Sequence, residues 1–337
     1  MSQTYETDVV IIGAGPVGLF AIFELGMLKI KAHVVDTLDE NGGQCTALYP
    51  EKPIYDIPAF PVIAAGDLIE NLEAQAAPFH PHYHLGQQVV KVEKTGESWR
   101  VETSSGVVIT AKAIIISAGA GAFGPNRPPL ADIEAYEERR TVQYYVKRRK
   151  DFAGKRVVIA GGGDSAVDWA VSLAEVAESV AVVHRRDKFR AAPEMVDRMR
   201  ALAAEGRIEM AVPYQLSRLE GADGMLSAVV VKDLEGAEKA LKADVLLPFY
   251  GLSMTLGPIA EWGLELEHNH ILIHQATTQT STPGIYAIGD IATYPHKLKL
   301  ILSGFSEAAS AAHAIHPLVF PDQALHFEYS TTAGVPA

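Results

Sequence analysis

One cysteine, Cys45, is all that 337 residues contain. Its solitude excludes an intramolecular disulfide framework, a dithiol redox centre and any multi-cysteine zinc or iron–sulfur site. Long apolar runs are missing too: none approaches the ~18 residues that a membrane helix needs, so no membrane partner is expected. Basic residues are in deficit, with 29 Lys and Arg against 41 Asp and Glu and a net charge of -12. Sequence-independent nucleic-acid binding needs a basic footprint, and this balance argues against it. The opening "MSQTYETDVV" lacks a basic leader and runs directly into an apolar strand pattern, from which a cytoplasmic location is expected. Low-complexity tracts are absent as well. What is present is an apolar fraction of 48% with mixed charge, the composition of a soluble globular protein. The length suits about two domains of roughly 150 residues. Any redox chemistry must be borrowed from a cofactor or come from other side chains.

Two stretches repeat one design. "DVVIIGAG" is a short apolar strand closing on Gly13; Pro16 and an apolar helical stretch come next, then a second strand, "KAHVVD", ending at Asp36. The same order returns as "RVVIA" (156–160), the turn "GGGDSA", a helix predicted over "DSAVDWAVSLAEVAES" and the strand "VAVVH" ending at His184. Both glycine turns therefore sit between a strand and a helix of a βαβ unit, the context in which G-x-G-x-x-G carries meaning. The fold expected is α/β: two Rossmann-like, three-layer dinucleotide-binding domains, one inserted in the other. The strands "AKAIIISAG" (111–119) and "ADVLLPFYG" (243–251) flank the second unit and place the crossings near 116–124 and 244–252. The expected division is 1–118 with 250–315, an insert over 119–249, and a C-terminal extension over 316–337.

The residues beyond each turn differ in charge. Gly13, Gly15 and Gly18 supply a tight turn, close approach to a pyrophosphate and close helix packing, and Asp36 lies where a carboxylate accepts hydrogen bonds from a ribose diol. A dinucleotide without a 2'-phosphate belongs there. The second turn has Gly161, Gly163 and Ala166, with Ser165 at the helix start, and after its second strand comes "HRRDKFR". Arg185, Arg186 and Arg190 then lie where a 2'-phosphate would sit, and guanidinium groups bind phosphate by bidentate charge-assisted bonds. The second pocket suits NADP(H) and the first, by contrast, FAD, so that a hydride can pass between them. "TPGIYAIGD" (282–290) supports FAD: Asp290 would reach the ribitol and pyrophosphate, or else N-cap a helix over "IATY", and both roles are compatible.

The order "GAGPVG", "GGQCTALYPEKPIYDIPAFP", "GGGDSA", "HRRDKFRA", "PGIYAIGD" and "YSTT" resembles the ferredoxin/flavodoxin–NADP(+) reductases of the thioredoxin-reductase-like type, over essentially the whole chain. The resemblance implies FAD contacts from Asp36, Gln44, Tyr49, Val89, Phe123, Asp290 and Thr331. It also implies a ring from the tail, Tyr329, covering the flavin face opposite Tyr49. The implied activity is electron transfer between NADPH and ferredoxin or flavodoxin. A homodimer in which one tail covers the other subunit's flavin is a further expectation.

Departures from thioredoxin reductases inform as well. Their C-x-x-C would fall on Tyr144 and Lys147, so electrons have no disulfide by which to leave and must leave from the flavin. FAD accepts a hydride and releases electrons singly, so no catalytic nucleophile, general base or metal is required. Cys45, where the family usually has an apolar residue, either packs or sits near the isoalloxazine. His80, His82 and His84 in "FHPHYHLG" raise a metal site, against which an exposed loop leading into a strand is preferred. "KRRK" (147–150) beside Arg139 and Arg140 either docks an acidic partner or is a solvated linker. Two other readings remain open: an NADPH oxidase, diaphorase or disulfide-independent quinone reductase, and a redox sensor that holds both nucleotides without turnover.

Overall fold

The computed structural model describes residues 3–119, 121–325 and 334. It divides the chain into two compact units, Met1–Phe123 with Met254–Ala337, and Gly124–Ser253. In chain order the first unit opens with β1 (Val9–Ile12), α1 (Pro16–Met27), β2 (Ala32–Val35), α2 (Gln44–Ala47), α3 (Ala65–Ala76), β3 (His82–His84) and β4 (Ala113–Ile116). The second unit contains β5 (Arg156–Ala160), α4 (Asp164–Leu173), β6 (Ser179–Val183), α5 (Pro193–Ala204), β7 (Ile208–Ala211) and β8 (Val245–Pro248). The chain then returns to the first unit with β9 (Ile285–Ala287) and α6 (Ile301–Val319).

In the first unit five parallel strands align in the order β9-β4-β1-β2-β3. Every residue of β1 and β4 is buried, as strands covered on both faces require. Alternation sorts them: Val9, Ile11, Ala113 and Ile115 pack among residues of α1, α3 and α6, while Val10, Ile12, Ile114 and Ile116 join Trp99, Val101 and Ile109 in a separate cluster. Those last three belong to a four-stranded sheet of Thr4–Glu6, Val108–Ala111, Ser98–Thr103 and Val89–Thr95. Helices, parallel sheet and second sheet make three layers. Each fully buried Ile or Leu adds about 1.5–3 kcal/mol relative to an exposed one.

The second unit repeats the plan with four parallel strands, β7-β6-β5-β8. A three-stranded antiparallel sheet, Gln215–Ala222, Met225–Lys232 and Glu238–Lys242, supplies Leu226, Val229, Val231 and Leu241 to a core with Val158, Ala181, Val183 and Leu246. One helix is shorter than the pattern predicts. α4 stops at Leu173, beyond which Glu175 N and Val176 N bond to i−3 carbonyls, Ser172 O and Leu173 O, in place of the helix's i−4 ladder, and the chain turns toward β6. A second difference lies at "IATY": no α-helix forms there, and Asp290 occupies a 3-10 turn, Gly289–Ile291, preceded by Ile288. Asp290 is therefore not a helix N-cap; its turn comes directly after β9 and α6 begins only at Ile301.

Candidate functional site

The first glycine turn lies between β1 and α1. Gly13 has φ +110, and a Cβ there would stand 2.5 Å from Ser117 O; the Ser117 hydroxyl donates to Gly13 O at 2.7 Å. A Cβ on Gly18 would stand 2.0 Å from Gly13 O, so only glycine lets α1 approach its own turn. Gly15 is different: an added Cβ would meet no protein atom within 4 Å. Nothing in the chain demands glycine there, and the open space is what a bound group's phosphate requires. Helix α1 has no side-chain cap and no acid in its first turn, which leaves its amide groups and positive end for an anion.

Asp36 immediately succeeds β2. Its carboxylate accepts Ala14 N at 2.6 Å and Leu38 N at 2.9 Å, tying the glycine turn to the end of the strand. Burial raises its pKa, and bonds from the Leu38, Ala14 and Thr37 amides oppose the rise. Its free lone pairs suit hydroxyl donors, which relieve part of that desolvation.

A cleft begins at this turn. Of the residues singled out in the sequence, Gly13, Gly15, Asp36, Gln44, Tyr49, Val89 and Asp290 line it, and Gly18 does not, being taken up by helix packing. Cys45 lines it too, buried. Burial pushes the Cys45 thiol up to about 11, so it stays protonated at neutral pH and is a packing residue rather than a nucleophile. Sequence reasoning missed Gln87, Gln88, Leu256, Pro258, Ile259 and Trp262, which complete the wall. No motif marks them; they arrive from segments remote in sequence. The side chain of Phe123 lies outside the described residues, as do Tyr329 and Thr331.

The second turn is built alike and edged differently. Gly161 has φ +155, and a Cβ there would stand 2.6 Å from Phe249 O and 3.1 Å from the Ala166 Cβ. A Cβ on Gly162 would run into the His184 ring, while one on Gly163, as on Gly15, would meet nothing closer than 3.9 Å. Ser165 is exposed on the first turn of α4. Asp164, beside it, accepts Ala192 N at 3.0 Å and so anchors the segment just past Arg190. The Arg190 amide donates to Gly162 O at 2.7 Å, which draws that loop over the turn. Arg185, Arg186 and Arg190 are exposed, and none forms an ion pair among the described residues, unlike Arg148, Arg156, Arg198 and Arg218 of the same unit. Exposed guanidinium groups without an ion pair, on the segment that follows β6, are of the chemical type that suits an anion.

Other candidates resolve in detail. His82 and His84 are themselves the edge strand β3, rather than a loop before it, and His33 of β2 joins them: ring centroids lie 4.6–5.2 Å apart, and His33 Nδ1 is 3.0 Å from His84 Nε2. His80 adopts a left-handed turn conformation before that strand and takes no part in the cluster. Among the described residues no group of three or more His, Cys, Asp or Glu is arranged to hold a metal ion. In "KRRK", Arg148 pairs with Asp151 and Arg149 with Glu175, so part of that charge is already neutralised. Tyr144 donates to Glu137 at 2.5 Å.

Together these features define a class: a two-unit α/β protein with a cradle for a dinucleotide phosphate in each unit. Residues 7–314 match the pyridine nucleotide-disulphide oxidoreductase family, and the chain belongs to it, on the branch of the ferredoxin–NADP reductases. It is 62% identical to the ferredoxin–NADP reductase of Acidiphilium cryptum, over 100% of this chain and 99% of that one. The Rhodospirillum rubrum protein of the same name is 60% identical, again over 100% and 99%. Among solved structures, thioredoxin reductase of Lactococcus lactis superposes with a TM-score of 0.79 at 25% identity, covering 94% of this chain and 99% of that one. No helix among the described residues is long and apolar enough to cross a membrane.

Proposed function

We propose that this chain carries electrons between NADPH and a one-electron protein carrier, ferredoxin or flavodoxin, by way of FAD held in the first unit's cleft. One observation carries the reading: two glycine turns of the same build are edged by a part-buried carboxylate in one unit and by three unpaired arginines in the other. Asp36 would take the ribose hydroxyls of FAD and repel a 2'-phosphate, while Arg185, Arg186 and Arg190 would take that phosphate from NADP(H). Gly15 and Gly163 leave room for each pyrophosphate. Gln44, Tyr49, Val89 and Asp290 then face FAD, with Phe123, Tyr329 and Thr331 assigned by resemblance.

The bound flavin supplies hydride acceptance from NADPH and release of single electrons. The chain's own part is positioning and exclusion of water: the only cysteine is buried and protonated, so disulfide exchange has no route. The names borne by the relatives, ferredoxin–NADP reductase at 56–62% identity, support the same partner. A homodimer with shared tails and a cytoplasmic location belong to the proposal. Purification followed by release and identification of the flavin, then anaerobic titration with NADPH with and without ferredoxin, tests it. A colourless polypeptide that takes up no flavin overturns it; turnover on dioxygen equal to that on ferredoxin moves the assignment to an oxidase, and a flavin left oxidised by NADPH moves it to a sensor.

A further inference from the structure

Behind the cofactor cleft lies a charged pair that the proposed chemistry does not use. Lys297 and Glu307 form an ion pair whose side chains are only 4% and 6% exposed. Two uncompensated charges at that depth would be very costly, so the surroundings of both matter. Glu307 projects from α6, and its carboxylate accepts three bonds: Gly289 N at 2.7 Å, the Tyr294 hydroxyl at 2.9 Å, and the Lys297 ammonium. Lys297 donates a second bond, to Gly289 O at 3.1 Å. Burial, with Glu307 beside it, lifts the Tyr294 phenol to about 12, so it remains a donor.

Two of these bonds meet at one residue, Gly289. Both polar groups of Gly289 are held, the amide by Glu307 and the carbonyl by Lys297, at a residue with φ +73. Packing secures it further: a Cβ on Gly304 of α6 would stand 2.4 Å from Val17 and 3.3 Å from the Gly289 Cα. Gly289, Asp290 and Ile301 at the start of α6 all line the cleft. We propose that the Lys297–Glu307 pair is a positioning clamp that fixes the Gly289–Asp290 turn against α6, and that the clamp sets how tightly the flavin nucleotide is retained. This rests on the FAD reading above.

The clamp predicts a pattern that general destabilisation does not. Lys297→Met leaves a buried carboxylate without its cation and should weaken FAD binding to the apoprotein about tenfold or more. Adding Glu307→Gln to that variant removes the stranded charge while the amide oxygen still accepts Gly289 N, so the double variant should recover most of the affinity. Tyr294→Phe removes one bond and no charge, and should weaken binding a few-fold; it keeps the test open if Lys297→Met does not fold. FAD dissociation constants from fluorescence titration, beside apoprotein melting temperatures, provide the readout. Affinities within twofold of wild type in folded Lys297→Met, or in folded Tyr294→Phe where Lys297→Met does not fold, overturn the clamp. So do affinity losses that track melting temperature equally in single and double variants. Wild-type apoprotein that takes up no FAD overturns the cofactor reading, and this inference with it, before any variant is compared.

Discussion

The two glycine turns differ least where they would touch phosphate and most at their margins. In both, a first glycine occupies a positive φ against a backbone carbonyl, Ser117 O in one and Phe249 O in the other. In both, the third residue of the turn faces open space. The middle residue is free to be Ala14 in the first unit but must be Gly162 in the second, where the His184 ring fills the place of a side chain. The helix of the first unit comes so close that Gly18 is obligatory; the second tolerates Ala166. The glycine turns are thus alike in local backbone, and in the proposed function the choice of nucleotide would rest on the residues just past the second strand: a carboxylate tied to amides, or arginines without an ion pair among the described residues.

The comparison is broken hardest at the first glycines. Gly13→Val puts a branched side chain into the space held by Ser117 O at φ +110, and the purified chain should lose flavin essentially completely, read as the ratio of flavin to protein absorbance. Gly161→Val should spare the flavin and abolish NADPH reduction of it, if the units hold different nucleotides. Next in size, Arg185→Ala and Arg186→Ala should each raise the KM for NADPH by roughly ten- to a hundredfold, the loss of one charge-assisted phosphate contact, with NADH turnover nearly unchanged. Equal loss with both nicotinamides refutes the phosphate assignment.

Gly15→Ala sharpens the contrast between fold and site. The residue has φ -68 and an open surround, so the apoprotein should melt at the same temperature or slightly higher, while FAD affinity falls about tenfold. A destabilised apoprotein would mean the glycine serves the chain itself. The smallest effect concerns the histidine cluster. Burial, then His82 and His84, lowers the His33 pKa to about 4; burial, then His82, lowers that of His84. The unfolded chain, near pKa 6.5, binds protons first as pH falls. Stability should therefore be full above pH about 6.5 and decline progressively toward pH 4, and His33→Gln should flatten that slope in melting curves.

Much of this is legible in the sequence because it is local. Strand, turn and helix succeed one another within about thirty residues, so the positions of Gly13, Gly15, Asp36, Gly161 and the arginines along the chain already imply two phosphate cradles of unlike charge. The helix end at Leu173 is not legible: "AEVAES" has helical composition, and only the return to β6 stops it. Nor is the turn at Asp290, since nothing in "IATY" opposes a helix until the 3-10 turn at Gly289 and Glu307 behind it are in place.

Backbone chemistry of short range, glycine's tolerance of positive φ and the charge beyond each second strand, was settled by the order of residues alone. Tertiary packing decided the rest: that Leu256, Ile259 and Trp262 pack with Val89 in the cleft wall, that His33 meets His82 and His84 across neighbouring strands, and that Glu307 reaches Gly289 from a helix eighteen positions on. These are contacts between segments with no local period to announce them. They exist because buried polar groups must find partners, and apolar faces must find cover, wherever the chain has brought them together.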